Sequence, residues 1–129
     1  MVRTNCLAGI DVEIVPMFSA VFKSSGGTAL ATVAHLDVSE LAKLAPDLLV
    51  CDIDDLEVDP LELLRRIRFV LPDCLIAVYT GVVTTAWGRA CHLAGGNCLL
   101  AKDATQAELS LGLRVALRSG CYTDPRFAA

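Results

Sequence analysis

The chain has 129 residues, a formal net charge of −4 and 54% hydrophobic residues, with mean hydropathy +0.55. This length fits one domain with a real core, and the lack of any basic run argues against nucleic acid binding by this segment. The longest apolar stretch, Cys74 to Val83, is too short to span a membrane and contains Thr80 and Gly81. Asp11 interrupts the apolar N-terminal stretch, which makes it a poor signal peptide. The expectation is a cytoplasmic, non-membrane protein whose excess of apolar residues covers both faces of a sheet. Six scattered cysteines without a C-x-x-C pair, and two isolated histidines, offer no zinc motif. They read as reduced core thiols.

In chain order, Leu7 to Glu13 reads as a first strand, and Pro16 to Lys23 as a helix stopped by Ser24-Ser25-Gly26-Gly27. Thr28 to Leu36 is β-prone, and Asp37 is placed to cap a helix running to Leu44. Pro46 to Asp52 is a third strand. Asp59-Pro60 then supplies a cap and a first-turn proline for a helix with Leu61, Leu64 and Ile67 on one face and Glu62 four residues before Arg66. Cys74 to Tyr79, apolar throughout, fits a parallel strand covered on both sides. A helix over Thr85 to Ala94 stops at Gly95-Gly96, and Asn97 to Ala101 is a fifth strand. Thr105 and Glu108 form a capping box for a last helix with Leu109, Leu113, Ala116 and Leu117 on one face, ending at Gly120. Residues 1–122 make the domain; 123–129 read as a loose tail or the start of a linker.

Alternating strands and helices imply a parallel α/β sheet with helices on both faces. Sites in such sheets lie beyond the carboxyl ends of the strands. Asp52, Thr80 and Lys102 all stand at such ends. Around Asp52 five acidic residues (Asp52, Asp54, Asp55, Glu57, Asp59) fall within the eleven positions from Val50 to Pro60. Such a cluster costs stability unless a cation sits among it. A calcium loop starting at Asp52 fails, because Leu56, Glu57 and Leu63 occupy positions that need an oxygen ligand, a glycine and a glutamate.

Two family resemblances remain. Leu48-Leu-Val-Cys-Asp52-Ile-Asp54 resembles the first motif of the haloacid dehalogenase superfamily. That family needs a further acidic pair after the lysine, and only Asp103, Glu108 and Asp124 follow Lys102. The order Asp52, Thr80, Lys102 on strands three, four and five resembles the receiver domain of bacterial response regulators. The acceptor strand Pro46 to Ile53, the switch strand Ile76 to Gly81 and the run Gly95 to Asp103 carry that likeness. The stretch from Arg118 onward is similar to the one that follows receivers in LuxR-type DNA-binding regulators.

The receiver resemblance implies a doubly wound, flavodoxin-like sheet of five strands in the order 2-1-3-4-5. It implies a non-enzymatic switch in which Asp52 takes a phosphoryl group from a sensor histidine kinase or phosphotransfer protein, with Thr80 and Lys102 meeting the new charge. Mg²⁺ would be held by Asp52, the backbone carbonyl of Asp54 and the acidic residues of the first strand, Asp11 and Glu13, and a homodimer is a candidate assembly. The chain departs from the family where an adjacent acidic pair is usual, since Val12 follows Asp11 and Ile14 follows Glu13. Leu56 replaces a loop proline and Leu99 a rotating aromatic residue. The alternative is therefore a degenerate receiver, a protein-interaction module that works without phosphorylation.

Overall fold

A computed structural model describes residues 3–24 and 29–128. Its spine is a parallel sheet: β1 (Thr4–Ala8), β2 (Ala29–Val33), β3 (Leu48–Asp52), β4 (Leu75–Thr80), β5 (Cys98–Ala101) and β6 (Tyr122–Thr123). The spatial order is β2-β1-β3-β4-β5-β6. The five-strand order expected from sequence is present, with one short strand added at the β5 edge. The expected stop at Ser25–Gly27 and the start of the second strand at Thr28 lie outside the described residues.

Five helices cross over between strands: α1 (Val15–Ser24), α2 (Val38–Leu44), α3 (Pro60–Val70), α4 (Thr85–Leu93) and α5 (Gln106–Ser119). Their starts follow local chemistry. Asp37 accepts from the Glu40 N–H, Asp59 from those of Leu61 and Glu62, and Thr84 from that of Trp87. Thr105 and Glu108 close the reciprocal capping box. Glu62 pairs with Arg65 at 3.4 Å, one turn position earlier than the expected Arg66.

Strand alternation sorts the core into two layers. Cys6, Ala8, Leu49, Cys51, Ile76, Val78 and Leu99 face one cluster, with Leu41, Leu64, Ile67 and Cys91 of α2, α3 and α4. Leu7, Leu48, Val50, Ala77, Tyr79 and Leu100 face the other, with Phe18 and Phe22 of α1 and Leu109 and Leu113 of α5. This double covering accounts for the high hydropathy.

Two of the boundaries that differ from the sequence expectation change which residues meet. The first strand ends at Ala8, not Glu13, because Gly9 adopts φ +67° and turns the chain. Asp11 and Glu13 therefore stand in the turn before α1: the Asp11 carboxylate accepts the Glu13 N–H at 3.2 Å, and its carbonyl accepts those of Ile14 and Val15. The tail expected over 123–129 is, through Ala128, docked on the domain. Tyr122 and Thr123 pair with Cys98 and Leu99, and a 3₁₀ turn (Pro125–Ala128) follows, with Phe127 buried.

Candidate functional site

The register sets which residues meet. Ala8 pairs with Cys51, Asp52 with Tyr79, and Thr80 with Ala101. The residues just past these pairs gather at one rim of the sheet, so Asp52, Asp54, Thr80, Gly81 and Lys102 come together as expected for three of them. Asp52 bends the loop after β3 by accepting the Asp54 N–H at 2.9 Å, and Asp55 continues the bend at φ +57°. The Asp54 side chain is thereby aimed across the strand ends.

Lys102 Nζ lies 2.8 Å from Asp52 Oδ2 and 3.0 Å from Asp54 Oδ2. The cation sought by the acidic cluster is this lysine. Thr80, fully buried, donates its hydroxyl to Asp54 Oδ1 at 2.7 Å, and the Gly81 N–H donates to Asp54 Oδ2 at 2.8 Å. Burial opposes ionisation of Asp54, but the Gly81 N–H, the Thr80 hydroxyl and the Lys102 ammonium together hold its carboxyl below the usual range. Burial likewise works against the Lys102 charge, and the two carboxylates outweigh it and raise that pKa. Asp54, assigned by sequence only to metal holding, is thus the acceptor at the centre of the site. The signal for this was the Asp-x-Asp spacing, which permits the turn at Asp52.

The residues do not fit the Mg²⁺ that the receiver resemblance implies. That ion wants near-octahedral oxygen ligation. Beside Asp52 the β1 end supplies Gly9, whose added Cβ would lie 3.5 Å from the Asp52 carbonyl oxygen, followed by the apolar Ile10. Asp11 and Glu13 fall in the turn beyond and line no part of the cleft formed by Gly9, His35, Leu36, Asp52, Asp54 and Leu56. All four carboxylate oxygens of Asp52 and Asp54 already accept a protein donor. Among the described residues, no group of three or more His, Cys, Asp or Glu could hold a metal ion.

Leu99 is fully buried. It shares a cluster with Phe127, and a Cβ placed on Gly88 would touch both side chains, at 3.1 and 3.0 Å. The groove between α4 and the docked tail is lined by Gly88, His92, Leu93, Leu99, Thr123 and Phe127 and shares no residue with the carboxylate cleft. Among the described residues, no helix is long and apolar enough to cross a membrane.

No family model matches the chain. Methanol utilization control regulatory protein MoxX of Paracoccus denitrificans is 33% identical over 85 residues, which are 64% of this chain and 38% of that protein. The chain thus spans well under half of the curated relative it matches. The isolated REC domain of RcsB from Salmonella enterica serovar Typhimurium superposes with a TM-score of 0.77 at 17% identity, covering 99% of this chain and 97% of that one. A LuxR-family two-component response regulator from Aurantimonas sp. gives 0.76 at 20% identity, covering 96% and 90%. The chain has the fold of response-regulator receiver domains.

Proposed function

We propose that this chain is a receiver-type signalling module that engages a protein partner without being phosphorylated. The reading rests on one observation: both oxygens of Asp52 are committed, one to the Asp54 N–H and one to Lys102, while Gly9 and Ile10 bring no acid beside it. Phosphoryl transfer to a carboxylate concentrates negative charge between the two groups, and preorganised positive groups must meet it. Lys102 is already shared between two carboxylates, so among the described residues the site has no uncommitted cation to offer. The buried Leu99 and Phe127 point the same way, because no aromatic side chain at position 99 is available to rotate.

The control role is supported by the names of two similar proteins, a control regulatory protein and a two-component response regulator. Partners would come from that pathway, a histidine kinase, a phosphotransfer protein or an output regulator, in the cytoplasm and with no catalytic turnover.

The second reading, an Asp52 phosphoacceptor, is favoured by the 2.8 Å contact from Lys102 and by the 19% exposure of the Asp52 side chain. Intact-mass measurement after incubation with acetyl phosphate, with and without Mg²⁺ and beside Asp52→Ala, separates the two. The interaction-module reading expects no mass gain in any sample. A phosphoryl gain that vanishes in Asp52→Ala would overturn it in favour of the switch.

A further inference from the structure

Three donors of different kinds converge at the rim of the sheet: a hydroxyl from the end of β4, a backbone N–H from the next residue, and an ammonium from the end of β5. A cation, a hydroxyl and an N–H aimed at one point form a site for an oxyanion. All three end on the same carboxylate. Thr80 Oγ donates to Asp54 Oδ1 at 2.7 Å, while the Gly81 N–H and Lys102 Nζ reach Oδ2 at 2.8 and 3.0 Å. Among the described residues, Asp52, the nearer match to a phosphoacceptor, receives Lys102 and the N–H of its own loop. The Thr80 oxygen in turn accepts the Val82 N–H at 3.1 Å, so the grip on Asp54 extends into the segment that leads to the α4 cap at Thr84.

We propose that Asp54 is a resident anion, a carboxylate built into the chain that fills the oxyanion site of Thr80, Gly81 and Lys102 and fixes the Thr80–Val82 segment with no added phosphate. It rests on the phosphorylation-independent reading for its meaning, and supplies the reason a receiver fold could hold one surface permanently. Delivery of Asp54 is a property of the loop: Asp52 captures the Asp54 N–H, the left-handed Asp55 turns the chain, and the side chain projects over the strand ends.

The test is amide hydrogen exchange at Gly81, followed by NMR. Asp54→Ala removes the only acceptor described for that N–H and is expected to speed its exchange about tenfold or more, while Glu57→Gln, which removes an exposed charge from the same loop, leaves it unchanged. In Asp52→Asn/Asp54→Ala, which lacks both competing carboxylates, added inorganic phosphate is expected to restore Gly81 protection, and Lys102→Met in that background to abolish the effect. Should Asp54→Ala fail to fold, Asp54→Leu serves, since it fills the space while leaving both the Thr80 hydroxyl and the Gly81 N–H without the carboxylate oxygens they use. Unchanged Gly81 exchange without the Asp54 carboxylate, or no response of the double variant to phosphate, overturns the resident anion and leaves the mass result standing. A phosphorylated wild type would overturn the proposed function while leaving the Gly81 result in place.

Discussion

Lys102 is the residue on which two carboxylates depend. With Asp52 and Asp54 side chains 19% and 17% exposed, Lys102→Met leaves two partly desolvated like charges facing each other. Breaking a fully buried pair costs about 3–5 kcal/mol; the lysine is a third exposed, so water screens part of the loss. The expected destabilisation at neutral pH is about 1–2 kcal/mol in urea unfolding, and Asp54→Asn added to Lys102→Met should recover part of it.

The pH dependence of this group follows from the directions of the shifts. A carboxyl held below its usual value stabilises the fold fully above the unfolded value, about 3.9, and that contribution is lost as pH falls through the folded value. Lys102, raised, contributes fully below its unfolded value, about 10.4, and its share is lost as pH rises through the folded one. The stability difference between wild type and Asp54→Asn should therefore hold from about pH 5 to 9 and narrow below about pH 4. A difference that stays constant into acid would remove Asp54 from the charged network.

The trio Asp52, Thr80 and Lys102 was legible because each follows an apolar run, and parallel strands bring such ends together. Asp54's central place was not, since it depends on one side chain capturing an N–H two residues on and on a left-handed Asp55. Asp11 and Glu13 were misplaced for a related reason: nothing in the apolar run through Ile10 shows that Gly9 takes positive φ.

At the scale of elements, the turns are tied by a side chain that carries no sequence pattern. Arg68, near the end of α3, donates to the carbonyls of Leu71, Pro72 and Cys74 at the approach to β4 and to that of Gly95 before β5. It also reaches the Asn97 side chain, which accepts the Ile76 N–H. Gly95, at φ +117°, is required there, because an added Cβ would come 2.8 Å from Arg68 Cβ. Helical spacing gives Arg68 as one of three exposed-looking arginines; its partners lie up to 29 positions away, beyond any local signal. Hydrogen bonds from a charged donor contribute about 1.5–3 kcal/mol each and do not add in full. Arg68→Met should cost about 2–3 kcal/mol in urea unfolding, and Arg68→Lys should recover little, because an ammonium cannot span the same fork of acceptors. Full recovery by lysine would show that only charge mattered.

Over the whole molecule, the sheet has two edges and the β5 edge is closed by the chain itself. Asn97 and Leu99 carbonyls accept the N–H groups of Tyr122 and Asp124, Phe127 enters the core, and Thr85 donates its hydroxyl to the Phe127 carbonyl at 2.8 Å. Arg126 ties the segment to Glu108 and Asp124. Hydrogen bonding to Arg126 is the main reason the Glu108 carboxyl sits at about 2 rather than 4.5. Gly112 makes room, since a Cβ there would fall 2.6 Å from the Tyr122 ring. The segment read as loose in sequence because it is short, begins with Asp124-Pro125 and shows no period; its anchors, strand hydrogen bonds, a buried ring and the Arg126–Glu108 pair, all join it to distant residues. Two changes distinguish its contributions. Phe127→Ala keeps the strand pairing and should cost about 3 kcal/mol, leaving the association state as it is in the intact chain. Deleting residues 122–129 opens the β5 backbone and the apolar surface of Leu99 together, and an uncovered strand edge beside apolar surface pairs with other copies. Sedimentation velocity should then show larger species that grow with concentration, absent from Phe127→Ala at the same loading. If the deletion sediments like the intact chain, the tail serves core packing alone and the sheet edge needs no cover.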